Sequence, residues 1–194
     1  VPELDLTLPP ARDTLVEALV AGEEGAFEQF AADFAQPVLS LAYRLTGDLE
    51  SAHDIRQLAL WRVYRSIARF EKRSQLSTWL YRIVVNLCRD WARSRAAHPT
   101  GSHPSGPGRA PATARDANLL ERDERHRLIR RALLTLDDAE REIIALRHMQ
   151  GMTFREMASI LDRPETTVKS QCARALDRLH DALADKGLVP MEDD

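Results

Sequence analysis

Cysteine is nearly missing from this chain: Cys88 and Cys172 are the only two in 194 residues. Both fall in stretches with helical apolar periodicity, where a lone thiol behaves as a small buried apolar group. No Cys-x-x-Cys pair or Cys/His spacing is present, so neither a zinc module nor a disulfide framework is expected. The six histidines are scattered, with no pair at ligand spacing on one helix face. No metal and no other cofactor is therefore expected. Long apolar runs are missing as well: nothing approaches the roughly 20 residues needed to cross a bilayer, so no direct membrane insertion is expected. The first residues, Val1-Pro2-Glu3-Leu4-Asp5, lack the basic start and apolar run of a secretory signal, and the expected location is cytoplasmic. No nucleophile–base pair or ligand cluster stands out, which argues against an enzyme and against a small-molecule substrate. Internal repeats and strand-like alternation are lacking too.

What is present is helical periodicity and segregated charge. A composition of 44% hydrophobic and 29% charged residues is that of a globular chain. The net charge of −3 hides an uneven distribution. Residues 1–61 carry three Arg against eleven acids, residues 62–95 nine Lys/Arg against two, and residues 96–194 fifteen against seventeen. A basic block beside an acidic one is a footprint for a polyanion, although a solvated helix face gives the same pattern.

The expected fold class is all-α, with two helical domains joined by a flexible linker. Residues 13–95 form the first domain, residues 96–115 the Pro/Gly/Ser/Ala-rich linker, and residues 116–186 the second domain. In the first, Phe27, Phe30, Phe34, Val38, Leu41 and Leu45 recur at helical spacing. Thr46-Gly47-Asp48 breaks that helix, with Asp48 as N-cap of the next. The second helix presents Ala52, Ile55, Ala59, Val63 and Ile67 to a core. A polar loop over 71–75 precedes a third helix from about Ser77, striped by Leu80, Ile83, Val84, Leu87, Cys88 and Trp91.

In the second domain, helices are expected over about 118–134 and 137–148. Thr153 caps a short helix, 154–161, with Glu156 completing a capping box. Asp162-Arg163-Pro164 makes a turn. A longer helix follows over 165–184, with Val168, Cys172, Ala175, Leu176, Leu179 and Leu183 facing inward. A short helix, a tight turn and a longer helix with a polar start is a helix-turn-helix. Its second helix would offer Glu165, Thr166, Thr167, Lys169, Ser170, Gln171, Arg174 and Arg178 to a major groove, the cations to phosphates or guanine edges, Ser170 and Gln171 to base edges. A helical hairpin in a protein-interaction domain is the competing reading.

These residues resemble a known family. Residues 134–183 look like the fourth conserved region of extracytoplasmic-function (group IV) sigma factors of bacterial RNA polymerase, in the sigma-70 family. The resemblance is carried by 136–146, by Gly151-Met152-Thr153-Phe154-Arg155-Glu156-Met157-Ala158, and by Pro164 followed by Thr167-Val168-Lys169-Ser170. The first domain resembles the family's second region through Asp54-Ile55-Arg56-Gln57, Ser74, Ser77-Thr78-Trp79-Leu80, Tyr81-Arg82-Ile83, Asn86-Leu87 and Asp90.

The resemblance implies an alternative sigma factor whose partners are the polymerase core, promoter DNA and an anti-sigma factor. It implies polymerase binding by Asp54, Gln57, Leu58, Trp61 and Arg65; Leu58 and Trp61 need either a partner or an intramolecular helix to cover them. It assigns the −10 element to Lys72, Arg73, Ser74 and Gln75 of the loop, and to Trp79, Arg82, Asn86, Arg89, Asp90 and Arg93 of the following helix. There a flipped base would be captured. Trp79 is equally readable as a core anchor. The −35 element falls to Thr166, Thr167, Lys169, Ser170, Gln171, Arg174 and Arg178. Catalysis is left to the polymerase. The chain departs from the family pattern at Leu58, where an acid is usual, and at Val85, where a base is usual. It also departs at Ala173 and Leu176, where bulky or basic residues are frequent. Fewer cations imply fewer phosphate contacts. The alternative is a helix-turn-helix regulator that binds DNA without polymerase.

Overall fold

In a computed structural model of the chain, residues 13–71, 74–97 and 131–184 are described. Most of the expected linker, nearly all of the helix expected over 118–134, and Lys72 and Arg73 lie outside the described residues. Among the described residues there are helices and no strand, and no helix is long and apolar enough to cross a membrane.

The N-terminal unit comprises α1 (Asp13–Ala21), α2 (Ala26–Thr46), α3 (Leu49–Ser66) and α4 (Leu76–Ala97). A 3₁₀ turn, Ile67–Arg69, follows α3. The Phe30 and Phe34 rings stack with centroids 4.8 Å apart and are fully buried. Helix α2 continues through Pro37, although a proline removes one backbone donor and crowds the preceding turn. Burial of Phe30, Phe34, Val38, Leu39 and Leu41 on both sides of it outweighs that cost of about 3 kcal/mol. Helix α2 ends where Gly47, at φ 71°, donates its N–H to Tyr43 O. Such a left-handed cap is open to glycine without strain. Asp48 then caps α3, accepting from Ser51 N at 2.9 Å.

The C-terminal unit comprises α5 (Asp138–Ile144), α6 (Phe154–Leu161) and α7 (Glu165–Ala184). A π turn, Ala145–Met149, extends α5. Both α5 and α6 open on complete capping boxes, Asp137 with Glu140 and Thr153 with Glu156. Asp162 closes α6 in the left-handed region, at φ 55°. Helix α7 buries Val168, Cys172 and Ala175 and half-buries Leu179. Leu176, expected to face inward, is 38% exposed. It follows Ala175 directly, so about 100° of helical rotation carries it off the buried stripe.

The two units do not stand apart as tethered, separately exposed domains. Ile143, Leu146, Met157 and Ile160 belong to the same continuous apolar core as Phe34, Leu80 and Val84. Helix α6 lies on α4, and α5 with its π turn lies on α2.

Candidate nucleic-acid and protein interfaces

Helix α3 has two faces because its apolar residues split into two stripes. Ala52, Ile55, Ala59 and Val63 are buried. Asp54, Gln57, Leu58, Trp61 and Arg65 are exposed on the other side. Leu58 is 47% and Trp61 55% exposed, so among the described residues no intramolecular helix covers them. Arg65 sits over the Trp61 ring, 5.2 Å from its centroid. Sequence reading missed Tyr64, which is 61% exposed and packs edge-on against Phe27 with ring centroids 5.0 Å apart. Its position three residues after Trp61 was the available signal. An apolar stripe of this kind in water is a candidate interaction surface.

The loop and α4 divide the residues assigned to the −10 element into groups. Ser74 and Gln75 are exposed. Gln75 starts the helix, its carbonyl accepting from Trp79 N at 3.1 Å. Trp79 is half-buried with its ring 5.1 Å from that of Phe70, in the manner of a core anchor. Asn86, Asp90 and Arg93 are exposed, with Arg93 paired to Asp90. Arg82 and Arg89 instead reach the C-terminal unit. Arg82 donates to Ser159 O and, at 2.7 Å, to Ser159 Oγ. Arg89 makes a two-point ion pair with Glu142, at 2.6 and 2.7 Å. The hydrogen bond to Glu142 holds the Arg89 guanidinium above its ordinary pKa, against a smaller opposing effect of burial. Val85, the position where a base is usual, is fully buried.

The start of α7 is set by the turn before it. Pro164 O accepts from Val168 N at 3.0 Å. Arg163 donates to Gln171 Oε1 at 3.0 Å, which orients Gln171 toward the turn. Thr166, Lys169, Ser170, Ala173 and Arg174 share an exposed face opposite the buried stripe, while Thr167 is half-buried. Lys169 is paired with Glu165 at 2.8 Å and also lies 5.8 Å from the Phe154 ring centroid. Arg147 covers the same ring at 4.6 Å. Arg178 turns back to Glu140 at 2.7 Å, away from the helix start. Among the described residues, no group of three or more His, Cys, Asp or Glu side chains could hold a metal ion.

A helix-turn-helix beside a helical unit with an exposed apolar stripe narrows the class to proteins that join DNA to a protein partner. Family models match both parts: Sigma-70 region 2 over residues 30–98 and Sigma-70, region 4 over residues 126–179. The ECF RNA polymerase sigma factor SigM of Mycobacterium tuberculosis is 34% identical, across 85% of this chain and 81% of that protein. The ECF RNA polymerase sigma-E factor of Escherichia coli is 30% identical, across 83% of this chain and 88% of that protein. Among solved structures, CnrH in complex with the cytosolic domain of CnrY matches with a TM-score of 0.67 at 24% identity, over 90% of this chain and 98% of that one. The sigma factor RpoE in complex with the anti-sigma factor NepR from Bartonella quintana matches at 0.64 and 24%, over 82% and 98%. The chain belongs to the extracytoplasmic-function sigma factors of the sigma-70 family. Neither matched family model is of a catalytic family.

Proposed function

We propose that the chain carries the core of RNA polymerase to promoters and leaves catalysis to that enzyme. The observation that supports this most is the coexistence, in one chain and in order, of the two sigma-70 regions with an exposed apolar stripe on α3. Asp54, Gln57, Leu58, Trp61 and Arg65, joined by Tyr64, form the face that docks on polymerase. A large aromatic flanked by polar groups is the composition of an interface hot spot. Residues 13–95 and 116–186 act as the two promoter-reading domains, with 96–115 as the connection.

In this reading the loop with Lys72, Arg73, Ser74 and Gln75 and the polar side of α4 engage the −10 strand. Asn86 offers both donor and acceptor to a base edge, with Arg82, Arg89 and Arg93 near it on α4, each holding a partner (Ser159, Glu142 and Asp90) that DNA would have to displace. The start of α7 enters the −35 major groove, where Lys169 and Arg174 take phosphates and Thr166 and Ser170 take polar edges. Arg178 serves α7 from the far side by its pair with Glu140. The protein acts in the cytoplasm, where polymerase is. A proteinaceous inhibitor of the anti-sigma kind is its regulator. Run-off transcription with core polymerase and fragments of the source genome tests the reading. Discrete transcripts that depend on this chain are expected, and transcripts from no fragment would sink it.

A regulator that binds DNA without polymerase is not favoured, because such a protein has no use for the exposed α3 stripe or for a region 2 match.

A further inference from the structure

The turn between α6 and α7 holds Arg163 by its backbone. Asp162 before it is in the left-handed region at φ 55°, and Pro164 after it biases residue 163 toward extended conformations. The Arg163 N–H donates to Ala158 O at 3.1 Å. From there the half-buried side chain crosses to α7 and donates from Nη1 to Gln171 Oε1 at 3.0 Å. Gln171 lies one turn beyond Thr167 and three residues before Arg174, on the flank of the face that the −35 assignment sets in the major groove. A guanidinium donates and cannot accept, so only the amide oxygen can face it. The orientation of this amide is therefore fixed by chemistry: its oxygen is occupied, and both Nε2 hydrogens are left for another partner. Ser170 makes the contrast. Its hydroxyl donates to Thr167 O at 3.0 Å, but a neutral hydroxyl rotates and can present either a donor or an acceptor. Gln171 cannot do so without breaking a charge-assisted bond, which is stronger than a neutral one. That bond is partly buried, which lessens its screening by salt.

We propose that Arg163 fixes what Gln171 can read: it makes Gln171 a donor-only reader of the −35 element, selecting guanine and discriminating against adenine. This rests on the placement of α7 in the −35 major groove. A free glutamine is the matched reader of adenine, its oxygen accepting from N6 and its nitrogen donating to N7. With the oxygen held by Arg163, half of that pairing is lost, and an amide N–H turned to adenine meets the N6 donor beside the N7 acceptor. Guanine shows acceptors at both places, N7 and O6. A donor-only amide therefore matches guanine at two atoms and adenine at one. The selectivity comes as much from the donor set against adenine as from the contact offered to guanine. Arg163 itself touches no base in this arrangement; it is a positioning residue that acts through Gln171.

The test uses holoenzyme assembled from the full chain and core polymerase. The probe is a pool of duplexes built on a promoter found by run-off transcription and randomised over its −35 segment, with bound and unbound fractions sequenced. Gln171→Ala locates the base pair that this side chain reads, as the one pair whose preference it flattens. At that pair the unaltered chain should favour guanine over adenine about tenfold, the discrimination of one matched bidentate contact. Arg163→Met keeps an apolar stem in the turn and removes the donor; it should reverse the order toward adenine at that pair alone. Arg163→Lys, which still donates to the amide oxygen, should keep guanine first. In the Gln171→Ala background, Arg163→Met should change nothing at that pair. Adenine favoured by the unaltered chain, or a guanine preference that survives Arg163→Met, overturns the proposal. So does a uniform loss of binding across all sequences in Arg163→Met, which marks Arg163 as a phosphate contact or a requirement of the fold. If Gln171→Ala flattens no pair while other −35 pairs are still selected, the proposal falls and the placement of α7 stands. If the unaltered chain selects at no −35 pair, that placement falls with it.

Discussion

The N-terminal unit encloses Phe30, Phe34, Leu39, Leu41 and Leu80 among its own four helices. Among the described residues, the C-terminal unit has a separate cluster of Leu133, Leu136, Ile144 and Ala175, with Leu179 against it; Ile143, Leu146, Met157, Val168 and Cys172 join the core of its neighbour. The smaller unit makes up the difference with local polar devices. It has two capping boxes. Arg141, its side chain 13% exposed, gathers three carbonyls, Leu133 O, Leu136 O and Leu45 O, within 3.1 Å. A unit that relies on stacked phenylalanines serves as the fixed platform. The structural contrast accompanies the proposed roles, in which α3 anchors to polymerase and α7 reads a DNA element.

The largest effect should come from breaking the platform. Phe34→Ala should cost about 3–5 kcal/mol, read from denaturant midpoints. Because the core is shared, protection of amides in α6 should fall along with that in α2. If only α2 responds, the cores are separate and the comparison fails. Arg141→Ala should cost about 2 kcal/mol, since it strands carbonyls that a charged donor had satisfied. Its effect should concentrate at residues 131–146 in hydrogen exchange. Trp61→Ala should weaken core polymerase binding by about 2 kcal/mol while shifting stability by no more than ~0.5 kcal/mol. Fluorescence anisotropy and thermal melting would together show the split. Thr153→Ala removes a cap and should cost about 1 kcal/mol, confined to the smaller unit. The smallest effect belongs to Leu176→Arg. It sits exposed on α7 and should add one phosphate contact, steepening the salt dependence of −35 binding by roughly 0.9 in slope. No change would count against the inference that this helix has a thinned cationic face.

Features with a local cause could be read from the chain. Asp48, Thr153 and Glu156 announce themselves because a cap involves residues three apart. The stripe Ala52, Ile55, Ala59, Val63 is a one-dimensional image of a helix face. Other features have causes that lie far away along the chain. Arg89 and Glu142 are 53 residues apart and Tyr81 and Gln150 are 69 apart, so no periodicity links them. Arg82 and Arg89 looked like open cations on a polar face because a sequence does not show which unit packs on that face. Val85 stands where a base is usual in the family, and its burial gives it a packing role. Pro37 would ordinarily end a helix, and only the apolar neighbours on either side carry α2 past it. The π turn at 145–149 has no compositional mark that we could identify. It brings Arg147 over Phe154 and precedes the buried Gln150.

In the proposed division of labour, α3 of the platform contacts polymerase and the start of α7 contacts promoter DNA. Site-specific photocrosslinking in the assembled holoenzyme tests it directly, with the photoreactive residue p-benzoylphenylalanine placed once as Trp61→p-benzoylphenylalanine and once as Thr166→p-benzoylphenylalanine. An adduct with a large polymerase subunit is expected from position 61, independent of DNA, and an adduct with upstream promoter DNA from position 166. A DNA adduct from position 61, or none with polymerase from any neighbouring position on α3, would contradict it.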